Sequence, residues 1–160
     1  MIDKKILYVD MDGVLANFGN EVKTITKLRK ELGGSIPKHF DNIPHIFRDL
    51  EPIEGSIEAI QKLYDSGKYD MFIATTSPWN NETGASDKVE WLKKYFGDIF
   101  KKKIFITHRK DLLIGDILID DRLKNGAEQF KGELLRFGYD YENKKMNEYP
   151  DWDSVLKKLL

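Results

Sequence analysis

Short runs of hydrophobic residues recur along the chain without alternation, and they predict the strands of a buried sheet. These runs span residues 6–9, 71–74, 104–107 and 117–119, and they are rich in β-branched and aromatic side chains. Continuous runs of this length are typical of strands buried on both faces, as in a parallel sheet. A shorter run at 134–139 is interpreted as a last strand.

Segments with helical spacing of their apolar residues separate these runs. The predicted helices are residues 17–32, 56–64, 86–96 and 152–160. Ser56 and Ser86 are the predicted N-caps of the two central helices, since their hydroxyls can accept from the first backbone N–H groups. Alternating strands and helices predict an α/β fold with a parallel sheet and right-handed crossovers.

The segment at 35–52 departs from this alternation. It contains Pro37, Pro44 and Pro52 with scattered aromatic residues, which favours irregular or short-helical structure that could cover a cleft. We therefore expect residues 1–15 and 53–160 to form the core, and residues 16–52 to form a small cap inserted after the first strand.

Composition narrows the possible functions. The chain has 160 residues, a formal net charge of -1 and no cysteine. A charge this close to zero does not favour a polymeric nucleic acid or a membrane as partner, and the absence of cysteine excludes disulfides and thiol nucleophiles. Asp10 and Asp12 interrupt the N-terminal hydrophobic run, which indicates no signal peptide. No stretch approaches membrane-spanning length, so a cytoplasmic location is expected.

Polar side chains follow the predicted strands at the points where they end. They are Asp10 with Asp12, Thr76 with Ser77, Thr107 with Lys110, and Asp120 with Asp121. The carboxyl ends of parallel strands lie at one edge of the sheet, where open α/β sheets bind ligands. Clustered carboxylates repel one another unless a cation lies between them, and Mg²⁺ prefers oxygen ligands and substrate phosphate. The sequence therefore predicts a magnesium site that binds a phosphorylated substrate.

Each of these residues also has an ordinary structural interpretation. Asp and Gly are common in turns, Thr76 and Ser77 could cap a helix, and Lys88 could be solvated. Trp79 and Trp91 are interpreted as packing residues. The chemical interpretation is favoured because all of the motifs occur in order at strand ends.

The motifs resemble those of the haloacid dehalogenase (HAD) superfamily of phosphotransferases. Asp10-Met-Asp-Gly-Val resembles its motif I, Thr76 its motif II hydroxyl, Lys88 its motif III lysine, and residues 116–121 its motif IV. Within the superfamily, the chain is most similar to the 5'(3')-deoxyribonucleotidase family. That resemblance rests on residues 10–18, 49–55, 76–78, 91–97 and 118–122. It implies a Rossmann-like core of a parallel sheet flanked by helices, with a small, mainly helical cap.

The resemblance also implies a mechanism. Asp10 would be the nucleophile that forms an aspartyl-phosphate, and Asp12 would be the general acid and base. Mg²⁺ would bind the carboxylates of Asp10 and Asp121 and the backbone carbonyl of Asp12. Asp120 and Asp116 would lie beside these ligands, and which of the three motif IV carboxylates binds the metal stays open.

The remaining residues would hold the substrate. Thr76, Ser77 and Lys88 would neutralise the phosphoryl oxygens, and Lys110 would steady the motif IV carboxylates or the substrate. Phe18 lies at the position of an aromatic residue that stacks on the base. Its neighbours in the cap would be drawn from Phe40, Ile43, His45, Ile46 and Phe47.

The first hypothesis is therefore a Mg²⁺-dependent phosphatase of nucleoside monophosphates, preferably deoxyribonucleotides. A HAD phosphatase for another small phosphomonoester, such as a sugar phosphate, is the second. A binding module on a HAD fold without turnover is the third, and the intact set of Asp10, Asp12, Thr76, Lys88 and Asp121 argues against it.

Overall fold

The computed structural model describes residues 3–18 and 40–160. Its strands are β1 (Lys5–Val9), β2 (Tyr69–Thr75), β3 (Ile104–Ile106), β4 (Ile117–Asp120), β5 (Glu133–Arg136), β6 (Tyr139–Asp140) and β7 (Lys145–Met146). Its α-helices are α1 (Ser56–Asp65), α2 (Gly84–Phe96) and α3 (Trp152–Leu159). Single turns of 3-10 helix occur at Phe40–Asn42, Lys110–Leu112 and Ala127–Gln129.

Five strands form one parallel sheet in the order β3-β2-β1-β4-β5. β1 lies at its centre, and Leu7, Tyr8 and Val9 are all buried. The prediction of a parallel sheet is therefore confirmed. Burial on both faces holds for the central strand β1 but is wrong for β3, an edge strand whose Phe105 and Ile106 are exposed. Because the chain runs outwards from β1 to β3 and then back across to β4, the sheet reverses its winding next to β1. Ligands bind at such a reversal in open α/β sheets.

The two faces of the sheet pack differently. Leu7, Val9 and Ile73 point to the face that packs against apolar side chains of the helices, among them Trp91 and Trp152. The other face carries side chains such as Tyr8 and Leu118. It is covered by apolar residues of irregular segments, among them Leu113, Ala127 and Phe130.

The predicted helix boundaries need two corrections. Gly55, with φ of 78°, is the N-cap of α1, and Ser56 is its first helical residue, where its hydroxyl donates to Leu15 O. α2 begins two residues earlier than predicted, with Thr83 as N-cap, and Ser86 Oγ donates to Thr83 O from inside the helix. At α1, Gly55 takes the left-handed conformation of the turn, whereas at α2 Gly84 is itself the first helical residue.

The C-terminal part also differs from the expectation. The predicted strand at 134–139 is divided into β5 and β6 by Gly138, which has φ of 71°. β6 then pairs with β7 in an antiparallel hairpin that the sequence pattern did not indicate, because each of its strands has only two residues.

The predicted cap leaves and re-enters the core at one place. Ala16 forms an isolated bridge with Pro52, and Asn17 N donates to Glu51 O at 2.8 Å. Asn17 and Phe18 are not helical, and the rest of the helix predicted at 17–32 lies outside the described residues. The division into a core and a 16–52 cap stays a prediction for the same reason. Within the described residues, no helix is both long and apolar enough to cross a membrane.

Candidate active site

The turn after β1 presents two carboxylates at the centre of the sheet edge. Asp10 follows the last residue of the strand, and the carbonyl of Met11 accepts from Leu15 N at 2.8 Å and Ala16 N at 2.9 Å. Gly13 adopts φ of 78°, a left-handed conformation that glycine takes without a steric penalty. The turn therefore folds back on itself and leaves Asp10 and Asp12 side by side.

Three carboxylates converge at this edge, as the sequence predicts. Oxygen atoms of Asp10, Asp120 and Asp121 lie within 4.8 Å of one another. Asp121 Oδ1 is buried without a hydrogen-bond partner among the described residues, which is costly unless a cation or another donor satisfies it. The donor set of hard oxygens, and the unpartnered buried oxygen in it, fit a divalent metal ion.

Gly13 is also needed for the position of Asp121. A β-carbon at residue 13 would lie 2.1 Å from Asp121 Oδ2. No other amino acid fits there unless the carboxylate moves. The glycine of motif I therefore has a role beyond the turn, because it lets the end of β4 approach the turn after β1.

Lys110 lies between the carboxylates of β1 and β4. Its Nζ is 2.6 Å from Asp120 Oδ2 and 3.2 Å from Asp10 Oδ1, and the residue is only 3% exposed. Burial by itself would lower the pKa of Lys110, but the charges of Asp10 and Asp120 raise it above its ordinary value. Lys110 is therefore a permanent cation next to Asp10, a more central position than the sequence analysis assigned to it.

Lys88 holds the other carboxylate of the turn. It is the fifth residue of α2, it is fully buried, and its Nζ donates to Asp12 Oδ2 at 2.6 Å. Two further acceptors, Thr75 Oγ1 at 3.0 Å and Thr76 O at 2.7 Å, complete its contacts. The two lysines thus divide the site, since Lys88 contacts Asp12 whereas Lys110 contacts Asp10 and Asp120.

Burial raises the pKa of three of these carboxyl groups. For Asp12 the nearby charge of Asp10 adds to the effect of burial, and Lys88 opposes it. Burial and Asp10 raise the pKa of Asp120 to about 6, against the influence of Lys110. Burial, Asp10 and Asp120 raise the pKa of Asp121 well above its ordinary value. A carboxyl whose pKa is raised by its surroundings is better suited to act as a general acid than an ordinary aspartate.

Thr76 and Ser77 follow β2 and lie at the same edge. Thr76 Oγ1 donates to Thr107 O at 2.8 Å, which ties the end of β2 to the end of β3. Ser77 Oγ lies 2.7 Å from where a β-carbon of Gly84 would be, so it packs against the start of α2. Their predicted contacts with phosphate stay predictions.

An aromatic pair lies beside Lys88. Phe18 and Phe47 are stacked, with ring centroids 5.1 Å apart and an angle of 22° between the ring planes. Lys88 Nζ is 4.4 Å from the centroid of Phe47, within the range of a cation–π contact. Phe18 is half-buried, and its predicted contact with a nucleotide base stays a prediction.

Two residues lie elsewhere than the sequence analysis implied. Asp116 precedes β4, about 13 Å along the strand from Asp120 at roughly 3.3 Å per residue, and its Oδ2 accepts from Ile6 N at 2.7 Å. It is therefore at the opposite edge of the sheet. Trp79 is 90% exposed and is not a packing residue, whereas Trp91 is buried as predicted.

Several supporting residues had no signal in the sequence. Thr75, which follows the hydrophobic run 71–74 and was given no role, accepts from Lys88 inside the core. Arg136 Nη2 and Asn147 Nδ2 each donate to the backbone carbonyl of Asp121 at 3.3 Å. They come from β5 and from the residue after β7, so only the folded chain brings them to the end of β4.

Comparison with known proteins agrees with this geometry. Residues 21–157 match the model of the family described as "5' nucleotidase, deoxy (Pyrimidine), cytosolic type C protein". A protein of Vibrio phage KVP40 assigned to the 5'(3')-deoxyribonucleotidases is 37% identical, over 98% of this chain and 85% of its own. The 5'(3')-deoxyribonucleotidase of Bacillus subtilis strain 168 is 28% identical, over 98% of this chain and 99% of its own.

The fold has counterparts among solved structures. A haloacid dehalogenase-like hydrolase from Streptococcus pneumoniae superposes with a TM-score of 0.65 at 14% identity, over 100% of both chains. This likeness confirms the HAD-type α/β fold. With the family match across most of the sequence, it leads to one assignment: the chain belongs to the 5'(3')-deoxyribonucleotidase family of the HAD superfamily and is a phosphatase of the 5'-nucleotidase type.

Proposed function

We propose that this protein hydrolyses deoxyribonucleoside monophosphates to nucleoside and phosphate through an aspartyl-phosphate on Asp10, with Mg²⁺ as cofactor. The observation that carries the proposal is the division of the turn after β1. Asp10 lies with Lys110 and the carboxylate cluster, whereas Asp12, two residues later, is held by Lys88. This division supports Asp10 as the nucleophile and Asp12 as the group that transfers the proton.

In the first step an Asp10 carboxylate oxygen attacks phosphorus, and the bond between phosphorus and the ester oxygen breaks. Asp12, whose pKa is raised above its ordinary value by burial and by the charge of Asp10, gives a proton to the departing ester oxygen. In the second step Asp12, now a carboxylate, takes a proton from water, whose oxygen attacks phosphorus. The bond to Asp10 breaks, which releases phosphate and regenerates the free carboxylate.

The charges of the site suit this reaction. Lys88 and Lys110 supply two positive charges, fewer than the four carboxyl groups of Asp10, Asp12, Asp120 and Asp121 can carry, so a further cation is favoured at the site. Asp10, Asp121 and the carbonyl of Asp12 would hold Mg²⁺, with Asp120 fixed beside them by Lys110. When bound, Mg²⁺ would neutralise charge on the phosphoryl group. We further expect Thr76 and Ser77 to bind phosphoryl oxygens. We also expect the protein to act in the cytoplasm.

Phosphate release from a panel of monophosphates tests the proposal. The panel contains deoxyribonucleotides, ribonucleotides, a 3'-monophosphate and sugar phosphates, each assayed with Mg²⁺ and with EDTA. Selective, Mg²⁺-dependent release from deoxyribonucleotides is expected. Release from sugar phosphates alone would be consistent with the proposed reaction but would contradict the proposal that the substrate is a nucleotide.

Asp10→Asn tests the mechanism in the same assay. An amide is a far poorer nucleophile than a carboxylate, so turnover and acid-stable labelling by the phosphate group are expected to disappear together. Asp116→Asn is the matched control, because Asp116 belongs to the same motif but lies at the opposite edge of the sheet. Wild-type turnover in Asp10→Asn would refute the aspartyl-phosphate.

A further inference from the structure

Polar side chains of the core reach the part of the predicted cap that the structure describes. Asn81, which is buried, donates from Nδ2 to Asp41 O at 2.8 Å and to Ile43 O at 3.1 Å. Its Oδ1 accepts from Thr83 N at 3.1 Å and from Thr83 Oγ1 at 2.9 Å. The loop before α2 is thereby tied to the backbone of residues 41–43.

His45 makes the next contacts along the same segment. Its backbone N–H donates to Thr83 Oγ1 at 2.8 Å, and its ring Nδ1 lies 2.9 Å from Asp87 Oδ2. A carboxylate only accepts, so Nδ1 carries the hydrogen in this contact. His45 adopts φ of 64°, a conformation uncommon outside glycine that persists where surrounding contacts impose it. We call Asn81, Thr83 and Asp87, with His45 as their partner, the cap latch.

The cap latch is joined directly to the catalytic groups. Asp87 and Lys88 are consecutive in α2, and both are buried. Asp87 contacts His45 of the cap segment, whereas Lys88 contacts Asp12 of the catalytic turn. Two residues after His45 along the cap segment, Phe47 lies against Lys88 and stacks on Phe18. A shift of the cap segment would therefore move the aromatic pair relative to Lys88.

Apolar packing alone does not fix the position of the aromatic pair relative to Lys88. Favourable aromatic pairs occur over a range of centroid separations, about 4.5–7 Å, so ring packing by itself allows more than one arrangement. A buried, fully paired network of hydrogen bonds selects one arrangement. The buried members of the cap latch are Asn81 and Asp87. Every polar atom of the Asn81 amide is paired to the backbone of residues 41–43 or to Thr83.

We propose that Asn81, Thr83 and Asp87 are positioning residues for nucleotide specificity. They hold residues 41–47 so that Phe47 and Phe18 lie at a set distance from the phosphate-binding groups. This inference rests on the proposed function, and it assigns the selection of a base-bearing substrate to side chains that do not touch the substrate.

Two nearly isosteric substitutions test the proposal. Asn81→Asp keeps the acceptor for Thr83 but replaces the donor to Asp41 O and Ile43 O by an oxygen that repels them. Thr83→Val removes the hydroxyl that joins His45 to Asn81. Each variant is assayed for kcat and KM with a deoxyribonucleoside monophosphate and with deoxyribose 5-phosphate, which has the same phosphate and sugar but no base.

We expect the KM for the nucleotide to rise about tenfold, the effect of about 1.4 kcal/mol, with kcat nearly unchanged. The kcat and KM for deoxyribose 5-phosphate are expected to stay within about twofold of wild type, because this substrate has no base for the aromatic pair to contact. A loss of the same size with both substrates would overturn the proposal, because it would show a general structural defect. Wild-type values with both substrates would overturn it as well.

Conservative variants and a control complete the design. Thr83→Ser retains the hydroxyl that Thr83→Val removes, so its KM for the nucleotide should equal that of the wild type. His45→Asn retains a side-chain donor at residue 45, and asparagine tolerates the left-handed backbone there. Glu90→Gln removes a negative charge from an exposed position of the same helix and should have no effect. If the wild-type protein hydrolyses no nucleotide, the proposed function fails. If it does and the two latch variants keep its KM, only this inference fails.

Discussion

Lys88 and Lys110 are both buried, and both donate to a carboxylate at 2.6 Å, but they belong to different structural elements. Lys88 is part of a regular helix and contacts the acid/base candidate. Lys110 belongs to an irregular segment after β3 and contacts the nucleophile candidate. The comparison shows that one edge of the sheet holds two electrostatic environments. The proposed mechanism assigns proton transfer to one of them, and attack and metal binding to the other.

The largest effect is expected from Lys110→Met, which removes the cation next to Asp10 and Asp120. Loss of a preorganised charge at a phosphoryl site should lower kcat about 100- to 1000-fold. The measurement is kcat at saturating Mg²⁺ and nucleotide. Lys103→Met, which removes a half-exposed cation paired with Asp70 at the other end of β2, is the control. A reduction below tenfold would show that Lys110 has no electrostatic role in turnover.

Lys88→Met should affect the other environment. Lys88 lowers the pKa of Asp12, against burial and Asp10, which raise it. Without Lys88 this pKa should rise further, so the limb of the pH–rate profile that depends on Asp12 should move to higher pH. We expect kcat to fall about 10- to 100-fold, near the lower end of what a general acid contributes. An unchanged pH profile would show that Lys88 does not influence proton transfer by Asp12.

Gly13→Ala tests the approach of the two strand ends. The added methyl would overlap Asp121 Oδ2, so Mg²⁺ affinity should fall about tenfold, as for other changes behind a metal ligand. Calorimetric titration with Mg²⁺ measures this without turnover. Gly67→Ala is the matched control, because Gly67 also has positive φ but has nothing within 4 Å of the added carbon. Equal Mg²⁺ affinities in the two variants would contradict the role assigned to Gly13.

The smallest effect is a dependence of stability on pH in the metal-free protein. Burial and Asp10 raise the pKa of Asp120 from 3.8 to about 6, so the folded state binds this proton more tightly than the unfolded state. The free energy of unfolding should therefore fall as pH rises from about 4 through 6. The raised pKa of Asp121 extends the decline to higher pH.

Thermal unfolding across this pH range measures the decline. Mg²⁺ should flatten it, because a cation favours the charged carboxylates, and Asp121→Asn should make it shallower. A Tm that rises with pH in the metal-free protein, or that ignores Mg²⁺, would show that these carboxyl groups are not coupled as described.

Regular elements and strand-end chemistry were predictable to different degrees. The strands near residues 6–9, 71–74 and 117–119 are long enough for their composition to distinguish them, and parallel pairing then brings Asp10 and Asp120 together. The predicted cap of α1 was wrong because Gly55, with a left-handed backbone, forms the turn before Ser56. The predicted cap of α2 was wrong because that helix begins at Gly84, two residues before Ser86. The hairpin of β6 and β7 is too short to leave a periodic signal.

What the sequence determined by itself is the reaction class, because the order of acidic and hydroxyl residues after hydrophobic runs is a local property of the chain. Only the tertiary structure decided which lysine contacts which carboxylate, that Asp116 lies away from the site, and that Asn81 and Asp87 hold the cap segment. These contacts join residues up to 110 positions apart. They depend on distances that the packing of helix and sheet sets, and no local pattern in the chain encodes them.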